Sequence, residues 1–261
     1  MTQKEVLDEL KALIVERLKF DPRRAAEMTA ETTLPKGLEG SLGLDSLDFI
    51  ELSVAMMPVL DRLGVRERVE RHGFLIKFGA AFHDQESDLE YRFYFREGKP
   101  WPPYSYEVQR AEFDQILLEH AAKERGVSLL QPAEVERVEL DGRGATLGIR
   151  EGGETRTIRA RFVVDASGRD GFLASRHVGR REPIPGLGKV ALFAHFEGAP
   201  RWEGRDEGLI RLYIFEDGWF WWIPFSGDLT SIGCVLHSKT VRGREGSLDA
   251  LYDDMYVTTN P

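Results

Sequence analysis

Cysteine is almost missing from this chain. Cys234 stands alone among 261 residues, which rules out an intrachain disulfide and fits a reducing compartment. It sits in the apolar run Ser231-Ile232-Gly233-Cys234-Val235-Leu236, where an inert core thiol is expected. Basic excess is missing too. Acids outnumber bases 44 to 35, for a formal charge of -9, which argues against general nucleic-acid binding. No apolar run approaches the roughly 20 residues of a membrane span. The opening Met1-Thr2-Gln3-Lys4-Glu5 starts an amphipathic helix and not a signal peptide, so a cytoplasmic protein without a membrane partner is expected. No metal site is expected. The length suffices for one sizeable core, or one core plus a small module.

Aromatic rings are plentiful in one place. Gly218-Trp219-Phe220-Trp221-Trp222-Ile223-Pro224 holds three tryptophans in four residues. Side chains alternate along a strand, so Trp219, Trp221 and Ile223 share one face and Phe220 and Trp222 the other, with Pro224 ending the strand. Such a strand serves either as core or as a wall beside a flat ligand, and both readings stay open on composition alone.

In the first 55 residues, Val6, Leu7, Leu10, Leu13, Ile14 and Leu18 recur at helical spacing, predicting a helix over 3–19. A polar loop with Pro22 and Pro35 follows. Then comes Leu42-Gly43-Leu44-Asp45-Ser46-Leu47-Asp48-Phe49-Ile50-Glu51-Leu52, which places Ser46 at a helix start. An isolated Asp-Ser would be only an N-cap. The whole string resembles the attachment site of acyl and peptidyl carrier proteins. That resemblance implies 4'-phosphopantetheine on Ser46. It also implies an acidic surface at Asp45, Asp48 and Glu51 for a phosphopantetheinyl transferase and other basic carrier-domain partners. The likeness fades after Ala55, so residues 1–55 are expected to be a partial acyl carrier-like helical segment.

Farther on, Met57, Leu60, Leu63 and Val65 predict a helix restarted at Pro58 and ended by Gly64, and a charged helix follows over 66–71. Residues 74–82 read as one buried strand with a single charge, Lys77. A lysine there needs water, an acid or a ligand at its ammonium, and it either snorkels to a surface or projects into a reaction cavity. Residues 89–95 alternate as a half-exposed strand, 110–125 form a helix, and 127–130 form a short strand. A three-stranded meander over 133–160 leads into Arg161-Phe162-Val163-Val164-Asp165-Ala166-Ser167-Gly168-Arg169, read as a buried strand ending in a small polar loop. Strands at 190–197, 209–215, 219–223 and 230–237 predict an antiparallel sheet, with a helix over 247–256 behind it.

From about Met56 the chain resembles the flavin-dependent halogenases, within the FAD-dependent monooxygenase and oxidoreductase group. Trp219-x-Trp221-x-Ile223-Pro224 matches the halogenase Trp-x-Trp-x-Ile-Pro motif at every defined position, Lys77 falls at the catalytic lysine, and Val108-x-Arg110-x-x-Phe113-Asp114 matches an arginine segment that contacts FAD. Val163 to Arg169 resembles a loop near FAD, bringing in Asp165, Gly168 and Arg169. The resemblance implies a mixed α/β (α+β) fold with a large antiparallel sheet. It implies reduced FAD from a partner flavin reductase. Halide would be oxidised to hypohalous acid, and Lys77 would deliver the halogen, as a haloamine or through a hydrogen bond, to an electron-rich aromatic substrate, free or carrier-bound, in secondary metabolism. Trp219, Trp221, Ile223 and Pro224 would lie near the flavin. No Gly-x-Gly-x-x-Gly follows an early strand, so the nucleotide half of an FAD site is not expected here. Residues 56–261 are thus expected to be a partial halogenase-like domain. Three other functions stay open: a carrier module modified at Ser46, an FAD-dependent hydroxylase or reductase, and an inactive truncated or fused fragment.

Overall fold

A computed structural model of the chain describes residues 3–18, 20–29, 56–95, 103–124, 126–178, 188–242, 247, 250–253 and 256. The carrier-like string, and Ser46 with it, lies outside the described residues. Two compact units emerge: Met1–Leu118 with Lys189–Pro261, and Glu119–Gly188.

In the first unit, α1 (Gln3–Leu18) and α2 (Pro22–Ala26) meet through a small cluster of Ile14, Ala25 and Met28. Asp21 caps α2, its carboxylate accepting from Arg23 N at 2.9 Å. α3 (Met56–Leu63) carries Pro58 in its first turn, where its missing N–H has no helical partner to lose. Gly64, at φ +74°, ends it. α4 (Arg66–His72) follows. Met57, Leu60, Val65, Val69 and Phe74 then form a buried cluster against Tyr104, Tyr106, Phe113, Ile116 and Leu117. The last three come from α5 (Arg110–Glu124), which begins in this unit.

The stretch 74–82 is two strands rather than one. β1 (Leu75–Lys77) pairs with β4 (Ser105–Glu107), whereas β2 (Gly79–Asp84) pairs with β3 (Leu89–Tyr94). Phe78 lies between them, its carbonyl accepting from Phe95 N at 2.8 Å just beyond the last β2–β3 pair, Gly79 with Tyr94. The main sheet runs β3-β2-β9-β10-β11-β8, with β8 Lys189–Glu197, β9 Ile210–Phe215, β10 Gly218–Pro224 and β11 Leu229–His237. Its pairings are antiparallel except β2–β9, which is parallel, because β2 reaches the sheet from a distant part of the chain and not through a hairpin.

The core sits on one face of this sheet. Phe220, Trp222, Ile232, Cys234 and Leu236 pack there with Leu251, backed by Trp202, Tyr213 and Tyr252. β11 is buried over nearly its whole length, as a central strand covered on both faces should be. Cys234 is fully buried, and burial pushes its thiol up to about 12, so it is an unreactive core residue. Short α6 (Ser238–Arg242) closes the described sheet region.

The second unit is a meander of β5 (Ala133–Asp141), β6 (Gly144–Glu151) and β7 (Glu154–Ala160). Two sequence expectations fail in it. Residues 127–130 are not a strand, and Val127 and Leu129 are exposed. Residues 161–165 are not a buried strand either: they form no strand, with Phe162 86% and Val164 89% exposed. A buried strand needs neighbours for its backbone and cover for both faces, and among the described residues neither segment joins a sheet. No helix of the described residues is long and apolar enough to cross a membrane.

Candidate functional site

β10 divides the aromatic run by the two-residue period of a strand. Phe220, Trp222 and Pro224 are buried on the core face. Trp219, Trp221 and Ile223 are half-buried on the opposite one. The core reading therefore holds for one face, and the other face is left half-buried. On the second face, Trp221 and Phe193 flank Gly233 in a row across three strands. The indole lies over the glycine so closely that a Cβ there would fall 2.2 Å from its Cζ2. Trp221 Nε1 donates to Ser231 Oγ at 3.1 Å, which fixes the ring plane, and its centroid lies 6.0 Å from that of Phe193, itself 62% exposed. Trp219 carries the Lys189 ammonium 4.3 Å above its ring. The result is a partly open aromatic surface with a cation at one end.

Lys77 closes β1, one residue before β2 enters the sheet. Register places it at a definite end: Ala80 pairs with Ile210, and Arg211 pairs with Trp222, so β2 begins at the end of the sheet where β10 finishes with Ile223 and Pro224. Its ammonium reaches an acid, Glu107, at 3.2 Å, and the two side chains are 12% and 8% exposed. Burial raises the Glu107 carboxyl above its ordinary range, and the Lys77 charge pulls it partly back. Glu107 was not singled out from sequence. The available signal was a lone acid between Tyr106 and Val108, but only the β1–β4 pairing shows that it faces Lys77.

Arg110 opens α5, and its side chain is exposed, paired with Asp114 one turn on at 3.0 Å. That bond holds its guanidinium above the usual arginine value.

Asp165 and Gly168 lie in the second unit. Asp165 Oδ1 accepts from Ser167 N at 3.0 Å and Ser167 Oγ at 2.6 Å, and Oδ2 accepts from Leu173 N at 2.7 Å. The carboxylate thus organises its own loop. Gly168 adopts φ +65° with open space where a Cβ would be, a backbone conformation that side chains disfavour. Arg169 lies in the same short turn, Gly168–Asp170. Beside the loop is a cavity of about 420 Å³, lined in part by Val135, Val138, Leu147, Val164, Asp165 and Phe172. Lys77, Glu107, Arg110 and the tryptophan strand belong to one unit, and the Asp165 loop belongs to the other.

Comparison with known proteins gives a consistent answer. Residues 95–257 match the family described as tryptophan halogenase. The chain is 33% identical over 208 residues to a tryptophan 2-halogenase of Chondromyces crocatus, covering 78% of this chain and 39% of that one. It is 32% identical over 209 residues to a 1H-pyrrole-2-carbonyl-[peptidyl-carrier protein] chlorinase of Pseudomonas fluorescens, covering 71% and 46%. The crystal structure of CmlS, a flavin-dependent halogenase, superposes with a TM-score of 0.70 at 31% identity, covering 78% of this chain and 37% of that one. The chain therefore spans less than half the length of these relatives.

Proposed function

This chain belongs to the tryptophan halogenase family, the flavin-dependent halogenases, and from that premise we propose that it serves halogenation of an electron-rich aromatic group, with Lys77 delivering the halogen. The observation that carries this reading is the division of β10. One face is spent on the core, while Trp219, Trp221 and Ile223 stay half-buried on a partly open aromatic surface. A flat isoalloxazine fits such a surface: ring faces are available, and Trp221 is locked in plane by Ser231. Trp219, Trp221 and Ile223 would face the flavin, with Pro224 ending their strand on the core side; roles for Arg110 and, in the other unit, for Asp165, Gly168 and Arg169 are proposed on the family likeness alone. When bound and reduced, by a partner reductase, FAD with oxygen supplies the oxidant that turns halide into hypohalous acid. The chain's own contribution is to hold Lys77. A buried ammonium with limited access to water donates to an oxidant's oxygen more strongly than it would in bulk solvent.

The substrate we propose is an aromatic acyl group on a carrier. The Pseudomonas fluorescens relative is, by its name, a chlorinase of a pyrrole on a peptidyl carrier protein, and this chain has its own carrier-like string around Ser46. We propose residues 1–55 as that carrier-like segment and 56–261 as the halogenase-like one.

The test is halide-dependent mass gain on pyrrolyl-carrier, tryptophan and phenolic substrates with FAD, reductase, oxygen and chloride or bromide. Lys77→Ala is expected to lower halogenation by at least about 100-fold while flavin oxidation continues. Halogenation at the original rate in that variant overturns the role of Lys77. The sequence lacks the dinucleotide fingerprint, so isolated chain is expected to hold FAD weakly. A yellow, stoichiometric holoprotein after gel filtration would contradict that. For Ser46, incubation with coenzyme A and a promiscuous transferase is expected to add the phosphopantetheine mass, and Ser46→Ala to abolish the gain. An unmodified chain refutes the carrier reading.

A further inference from the structure

We infer that Glu107 is a positioning residue for Lys77, a role that rests on the reading of Lys77 as the halogen-delivering amine. Register brings the two together. Leu75 stands opposite Glu107 and Lys77 opposite Ser105, so all four share one face of the β1–β4 ribbon. Lys77 and Glu107 are therefore diagonal cross-strand neighbours, a separation of about 7–8 Å that only long side chains close. They close it to 3.2 Å between Nζ and Oε1.

Stability alone is a poor reason to keep this pair. Both groups have left water, and a buried ion pair commonly does no better than apolar side chains of similar volume. The face they share also holds Leu75 and Ser105, while Phe74, Tyr106 and Val108 belong to the cluster on the other face. The pair does impose a location on the amine. Its strand is braced on two sides: Phe95 N holds the Phe78 carbonyl at 2.8 Å, and Gly208 lies so close to Ile76 that a Cβ would fall 1.9 Å from its carbonyl oxygen. Against that fixed backbone, Glu107 supplies the counter-charge that sets where Nζ rests. The contact leaves Oε1 without a well-aligned donor, so Glu107 steers the ammonium by charge and not along one hydrogen-bond line. An ammonium has three N–H groups, and a hold of this kind leaves donors to face an oxidant.

The experiment labels lysines in the full chain with acetic anhydride and compares Lys77 with Lys123 and Lys189 by peptide mass spectrometry. In the starting protein Lys77 is expected to label at least about tenfold more slowly than Lys123, because its amine is buried and ion-paired. Glu107→Gln is expected to speed Lys77 labelling at least about fivefold, with Lys123 and Lys189 unchanged, and Glu107→Asp to fall between, because its carboxylate is kept but set one methylene back. Unchanged Lys77 labelling in Glu107→Gln overturns the inference. So does a parallel rise at all three lysines, which marks a loosened fold. If Glu107→Gln does not fold, Glu107→Asp decides by the same comparison: a rise at Lys77 alone supports the role and no rise ends it. Halogenation separates the two claims. A fully active Lys77→Ala removes the catalytic reading of Lys77 whatever the labelling shows, whereas an inactive Lys77→Ala with unchanged labelling in Glu107→Gln removes only the role of Glu107.

Discussion

Two apolar segments of this chain look alike in sequence and end in opposite environments. Phe220 and Trp222 on β10 are 0% and 4% exposed, while Phe162 and Val164 are 86% and 89% exposed. β10 has a strand on each side and a layer of rings over one face. Residues 161–165 join no sheet among the described residues. An apolar run with strand propensity states a demand for cover, and whether the cover is met depends on which other segments fold against it. On the core face of β10 the first unit meets that demand. In the second, a segment that resembles a flavin-proximal part of the halogenases has its apolar side chains in solvent.

Mutations that probe the two segments should separate sharply. The largest effect is expected at Phe220→Ala, which removes a fully buried ring and should cost about 3–5 kcal/mol, read from urea denaturation followed by tryptophan fluorescence. Gly233→Ala comes next. Its new methyl meets the Trp221 ring, and forcing the indole aside should cost about 1–3 kcal/mol and change the near-UV circular dichroism of the aromatic surface. Phe162→Ser should be the smallest, within about 0.5 kcal/mol, because its ring is already in water. A large loss there would mean that 161–165 is covered in solution, and the comparison would fail on that side.

Much of the architecture was legible in the residues. The period-two alternation of 218–224 divided the rings between two faces correctly, because a strand's side chains have no other choice. The helix over Gln3–Leu18, the meander and the Gly64 stop followed from periodicity and φ preference. Other features had no local signal. The split of 74–82 into strands with different partners, and the parallel β2–β9 pairing, depend on segments far away in sequence. The exposure of Phe162 reflects missing neighbours, which no window around Phe162 can reveal.

The tryptophan strand and Lys77 belong to what the sequence determined by itself: side-chain alternation and a charge in an apolar run are local facts, and they carried the family likeness. Tertiary structure alone decided that Lys77 faces Glu107, that Trp221 lies flat because residue 233 has no side chain, and that Asp165 spends its carboxylate on its own loop. Each of these depends on strand register or chain reversal, which bring together groups that the sequence keeps apart.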